Sequence, residues 1–118
     1  DAILINPLGA VWNGQAEIEK GIAVVSDIIL KNFSTKYTVK DIRFMAPSVA
    51  LVIVHAAEQT ERDVYFPDGT KRDTKGHKSE GMAIHTFVKQ NDVWRIACTQ
   101  ATPVITDGPI AKIAAKGN

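Results

Sequence analysis

Charge of one sign is what this 118-residue chain has least of: 14 lysines and arginines stand against 13 aspartates and glutamates, a net charge of +1. A protein that grips a phosphate backbone needs a clear basic excess, so nucleic acid is not an expected partner. There is one cysteine, Cys98, which excludes an internal disulfide and reads as an inert buried thiol, since no cationic residue adjoins it in sequence. No His/Cys cluster has metal-ligand spacing, and phosphate-loop, dinucleotide, His-Glu-x-x-His and triad motifs are absent. Neither a metal nor a cofactor is expected. No apolar run approaches the roughly 18–20 residues of a membrane span. The longest, Val49 to Ala57, is strand-sized and contains His55. The N-terminus lacks the basic flank and cleavage site of a secretory leader, so a cytoplasmic protein is expected.

What is present is an ordinary globular composition, 45% hydrophobic and 23% charged, at a length that predicts one domain over 1–118. Ala2 to Asn6 reads as a short strand halted by Pro7 and Gly9. A second extended piece, Ala10-Val11-Trp12, ends at the turn signal Asn13-Gly14. From Gln15 the period changes. Ile18, Ile22, Val25, Ile28 and Ile29 mark one stripe of an amphipathic helix, with Glu17 and Glu19 at its positive end and Lys31 at its negative one. The helix is expected to stop around Asn32-Phe33-Ser34.

Tyr37 to Ala46 and Val49 to Gln59 follow as strands separated by Pro47-Ser48. The second is apolar on both faces, Val49, Leu51, Ile53, His55 and Ala57 on one and Ala50, Val52, Val54 and Ala56 on the other. Cover on both sides is expected, one the helix and the other a partner chain. Residues 61–78 read as a long exposed loop or hairpin tip. Ser79 to Lys89 and Val93 to Thr102 are two strands joined by Gln90-Asn91-Asp92, and Ile110 to Ala115 is expected to form one or two helical turns. Strand, helix, then a run of strands predicts an α+β layer, a helix packed on an antiparallel sheet.

Chemistry must come from polar residues that strand parity sets among apolar ones. His85 shares a face with Gly81, Ala83 and Phe87, where small residues leave room for a ligand, and is the best acid/base candidate. His55 is either a pocket group or a satisfied core histidine. Asn6 is a turn residue or a pocket amide, and Trp12 either walls a pocket or fills core. Simple alternation puts Gln100 inward with Trp94, Ile96 and Cys98, where a buried amide calls for a ligand or a hydrogen-bond network. His77 belongs to the charged loop and reads as solvated. Glu58, Arg62 and Asp63 stand near the expected cavity rim.

Two segments, Ala2-Ile3-Leu4-Ile5-Asn6-Pro7-Leu8-Gly9 with Trp12-Asn13-Gly14 and Glu17-Ile18, and Trp94-Arg95-Ile96-Ala97 through Gln100-Ala101-Thr102, resemble the SnoaL-like families of the nuclear transport factor two-like superfamily, among them the SgcJ/EcaC-type group. The resemblance implies a cystatin-like α+β cone, a highly curved antiparallel sheet wrapped on helices around a cavity, usually as a dimer through the outer sheet face. It also implies kinship with ketosteroid isomerase and polyketide cyclases. The isomerase's general-base aspartate precedes a proline in a strand resembling Ala2 to Pro7, and here Asn6 stands at that position. An amide cannot take a proton. The isomerase's second acid falls on the strand that carries His85, and a histidine can donate a hydrogen bond in that role. Ala101 replaces the asparagine usual in the closer family. The family fold opens with a helix of roughly 20–25 residues that has no counterpart in the sequence, so the cone is expected to lack one wall unless the Ile110 to Ala115 tail or a partner supplies it. The resulting expectation is an apolar cavity for a small hydrophobic, carbonyl-containing molecule. His85 and His55 would carry isomerase- or cyclase-type acid–base work, and Asn6, Trp12, Phe87 and Gln100 would hold the ligand. A non-catalytic binding or dimerisation module is the alternative.

Overall fold

A computed structural model describes residues 1–105 and 108–109, with side chains described outside 27–30. In chain order the elements are β1 (Ile3–Ile5), β2 (Val11–Asn13), α1 (Gly14–Asn32), β3 (Phe33–Ala46), β4 (Val49–Thr60), β5 (Val64–Tyr65), β6 (Lys71–Asp73), β7 (Lys78–Gln90) and β8 (Val93–Pro103). Among the described residues the architecture is α+β, helix α1 on a six-stranded sheet of order β2-β1-β8-β7-β4-β3, beside a small β5-β6 ribbon. Neighbouring strands are antiparallel except β1 and β8, which run parallel; the sheet is therefore mixed rather than purely antiparallel. The tail expected to be helical lies outside the described residues. Among those described, no helix is long and apolar enough to cross a membrane.

The helix begins where the sequence changes period. Gly14 takes a positive φ of 81°, which glycine adopts without a Cβ penalty. Glu17 reaches back to accept the Asn13 backbone N–H at 2.7 Å, satisfying a donor that the helix start leaves without a partner. At the other end α1 passes into β3 with no intervening loop, and the Glu61 N–H donates to the Asn32 carbonyl at 2.7 Å. β3 thus starts at Phe33, four residues before the apolar alternation at Tyr37 suggests. The β7–β8 hairpin closes through Asn91 and Asp92, at φ of 51° and 61°, the left-handed pair that matches the twist of a two-residue hairpin.

Three bulges control the sheet. Val39/Asp41 and Phe44/Ala46 in β3 bracket extra residues Lys40 and Met45; in β8 the pairing jumps from Thr86↔Cys98 to Phe87↔Ile96, leaving Ala97 extra. Bulges bend strands and raise local twist, and here the sheet curls strongly. β3 and β8 are three strand positions apart, about 14 Å in a flat sheet, yet the rings of Phe44 and Trp94 meet edge-on with centroids 6.0 Å apart.

The helix approaches β2, β1 and β3 most closely. Among the described residues Ala50 at 5% exposure and Val64 are the buried hydrophobics, while Tyr37 is 70% and Phe44 65% exposed. The chain exposes 8872 Å², against about 6300 Å² for a closed globule of its mass.

Candidate functional site

The cross-strand register sorts the functional candidates onto two faces. Residues directly opposite in a ladder share a face, so the pairs Ile42↔Val52, Val52↔His85, His85↔Thr99, Thr99↔Leu4 and Leu4↔Trp12 form one continuous row across the sheet. The helix lies on that side, since the Trp12 ring sits against its Gly21. The adjoining row is Phe44, Ala50, Phe87 and Ile96. Contact of Phe44 with Trp94 across the curl makes this face concave. His85 is therefore a histidine in the middle of an apolar, concave, helix-side surface, with Phe87 edge-on at a centroid distance of 6.2 Å.

Its ring is fixed and electrically neutral. Nδ1 lies 2.8 Å from the Thr99 hydroxyl, while Nε2 has no protein partner among the described residues. Burial pushes the imidazole below the ordinary histidine range, because desolvation disfavours the charged form. At pH 7 the group is a neutral imidazole whose free nitrogen acts as donor or acceptor according to which way the Thr99 bond runs.

Of the other residues expected at the site, Phe87 and Trp12 share His85's face. His55 does not, because it pairs with Met82 and Thr38, three positions along β4 from Val52, and an odd step crosses to the other face. There it pairs with Glu80, Nε2 to Oε1 at 2.9 Å. The two histidines thus lie on opposite faces of the sheet, and His55 is paired with a carboxylate that parity alone does not connect to it. Gln100 also lies on the outer face, opposite Ile84. The physical reason is the bulge at Ala97. The extra residue turns Cys98 and Gln100 away from Trp94 and Ile96, and Gln100 is exposed rather than inward. Asn6 is spent on its turn, its Oδ1 accepting the Leu8 and Ala10 N–H groups at 3.0 Å each.

Thr99 and Glu80 are the residues that sequence reasoning passed over, each a partner visible only once the register is known. A third constellation joins the β5-β6 ribbon to the sheet. Thr60, 1% exposed, donates to Asp73 at 2.7 Å, and the His77 ring approaches the same carboxylate at 3.1 Å. His77 is thus a ribbon anchor rather than merely a solvated side chain.

No family model and no curated protein matches the chain. Among solved structures, an uncharacterised protein with a cystatin-like fold from Caulobacter vibrioides superposes with a TM-score of 0.73 at 22% identity, covering 97% of this chain and 73% of its own. The fold is cystatin-like. A ketosteroid isomerase-like protein from Erwinia carotovora atroseptica shares it at TM-score 0.60 and 14% identity, over 89% of this chain and 74% of the other. The association domain of C. elegans CaMKII does so at 0.52 and 13%, over 86% and 70%. At these identities the likeness is one of fold, and the cystatin-like sheet is shared by proteins named for catalysis and for association.

Proposed function

We propose that the concave face binds a small, largely apolar molecule whose carbonyl oxygen is held by His85, and that the chain belongs among the SnoaL-like members of this fold. The observation that carries the reading is the position of His85, one neutral polar group at the centre of an apolar curved row. Apolar clefts with few, placed polar groups are what small-molecule sites look like. In this reading Thr99 donates to Nδ1, which leaves Nε2–H to donate to the ligand oxygen. The nearest strand carboxylate on the same face, Glu58, stands six residues along β4 from Val52, the residue opposite His85, about 20 Å away. A proton acceptor paired with His85 would need to lie within hydrogen-bond reach of the same ligand, so binding and polarisation are favoured over two-group proton transfer.

Titration with an aromatic ketone, followed through tryptophan fluorescence, tests this. His85→Ala is expected to weaken binding about tenfold, the loss of one hydrogen bond of about 1.5 kcal/mol, and Thr99→Val by several-fold through loss of the ring's orientation. Unchanged affinity in His85→Ala sinks the reading.

The outer face supports a second role, association of two copies. Leu51, Ile53, Ile84 and Met82 lie there, half-buried, with Ile3, Val11 and Val93 among the exposed large hydrophobics. A contiguous apolar face of this kind marks an interaction surface. Sedimentation at micromolar concentration is expected to show a dimer that Ile84→Glu dissociates; a monomer throughout removes the homodimer from the account.

A further inference from the structure

The rows of the concave face differ in how far they are covered. In the row Phe44-Ala50-Phe87-Ile96 the alanine between the two phenyl groups is only 5% exposed, and Phe44 meets Trp94 across the curl. The floor is closed at that end. On the other side of His85 come the row Val39-Val54-Ala83-Ala101 and then the row Tyr37-Ala56-Gly81. There Ala56, Ala83 and Ala101 are half-buried rather than buried, and Val39 and Tyr37 are exposed at the sheet edge. Alanines on one face are thus closed over on the Phe44 side of His85 and open on the Ala83 side.

Helix α1 passes this open side at a distance. It joins β2 to β3, the two edges of the sheet, which lie five strand spacings or about 24 Å apart when flat. Its 19 residues span about 28 Å. A straight helix joining the edges of a concave sheet stands off the middle. It starts beside Trp12, in the His85 row, and ends at Phe33, whose partner Thr60 is eight residues along β4 from Val52. Its path therefore follows the Ala83 side. Gly21 lies against the Trp12 ring, and Ile22 and Val25 belong to the same stripe, yet both remain exposed. An apolar roof and a floor of small residues face each other across a gap.

We propose that the ligand lies in this gap, its carbonyl at His85 and its apolar body running over Ala83 and Ala101 toward Gly81, beneath Ile22 and Val25. This rests on the His85 reading and narrows it to a substrate class, molecules that carry the carbonyl at one extremity. The covered row begins one two-residue step beyond His85, about 7 Å, so little can project past the carbonyl. In the other direction the apolar floor continues for two such steps, about 14 Å, before the polar row Thr35-Glu58-Ser79. Ala83 is then a specificity-determining residue, because a larger side chain there fills the gap next to the carbonyl.

Two ketones of similar size test the arrangement, para-acetylbiphenyl with its carbonyl at one end and benzophenone with its carbonyl between two rings. Titration followed by tryptophan fluorescence is expected to show the parent chain binding para-acetylbiphenyl about tenfold tighter. Ala83→Leu is expected to weaken para-acetylbiphenyl about tenfold by occupying its path. Phe44→Ala, which uncovers the closed end, is expected to narrow the preference by letting benzophenone bind more tightly. Equal affinity of the parent for the two ketones overturns the proposal, as does para-acetylbiphenyl binding that tolerates Ala83→Leu; either result leaves His85 in place if His85→Ala still weakens both ketones. A parent chain that binds neither ketone removes the His85 reading itself. The comparison within the parent decides the question even where a substituted chain fails to fold.

Discussion

Replacing Trp12 by alanine is expected to cost about 3 kcal/mol of stability, the lower end for deleting a large aromatic from packing, and to lower the unfolding temperature by roughly 10–15 °C. A Cβ built on Gly21 would fall 2.6 Å from the Trp12 ring, so the indole lies directly on the helix backbone. Among the described residues α1 packs chiefly on β1, β2 and β3, and Ile22 and Val25 of its apolar stripe remain exposed. The reciprocal change, Gly21→Ala, gains about 1 kcal/mol of helix propensity but drives a methyl into a rigid ring, an overpacking cost of about 1–3 kcal/mol. It is therefore expected to destabilise the parent and to stabilise the Trp12→Ala variant. Thermal unfolding of the four proteins reads this sign reversal directly; additive effects would show that the ring does not hold the helix.

Thr60→Val is expected to cost about 2 kcal/mol, because it strips a donor from a partly buried carboxylate without restoring its water. Thr60 closes the β5-β6 ribbon from several directions. Its N–H donates to the His77 carbonyl at 2.9 Å, and its own carbonyl accepts the Gly76 N–H at 2.7 Å. Burial pushes Asp73 up, but hydrogen bonds from Thr60, the Thr74 N–H and His77 outweigh it and hold the carboxyl below its ordinary value. Asp63 is lowered chiefly by the Lys75 N–H and Asp68 by the Thr70 hydroxyl. A carboxylate whose pKa is depressed on folding binds fewer protons in the native state, so it stabilises above its unfolded value of about 3.9 and that contribution is lost as pH falls through the folded value. All three acids lie in 61–78. Acid is therefore expected to loosen this segment first, seen as faster amide exchange there at pH 3 than the rest of the sheet shows. Thr60→Val should shift the onset upward; uniform exchange across the chain would refute the anchor.

The element order was legible because each element announces itself locally, α1 by a 3.6-residue stripe, β4 by an apolar run, β8 by a strand after a polar turn. The bulges were not legible. Counting back through the two-residue turn from Gln90↔Val93 with perfect alternation sets His85 opposite Cys98. One extra residue at Ala97 replaces that partner with Thr99 and carries Gln100 to the other face. A one-residue slip reverses every side chain beyond it, and nothing in Trp94-Arg95-Ile96-Ala97-Cys98 marks the place. His85 with Phe87 was readable from parity because both lie on β7, whereas Trp12 joins their face only through the register of β8, β1 and β2. His55's partner was not, since Glu80 lies 25 residues away and meets it only through the β4–β7 register.

The long outermost strand β3 bears on how the protein behaves when crowded. Fourteen residues with Tyr37, Val39, Ile42 and Phe44 exposed would ordinarily template the strand of another molecule and grow into fibrils. The displaced Lys40 and Met45 interrupt the outward-facing amide and carbonyl series twice. Lys36, Lys40, Asp41 and Arg43 load the same stretch with charge, and the Asp41–Arg43 pair at 2.7 Å adds a local clamp. The bends that curl the concave face therefore also deny an incoming strand a straight, in-register edge.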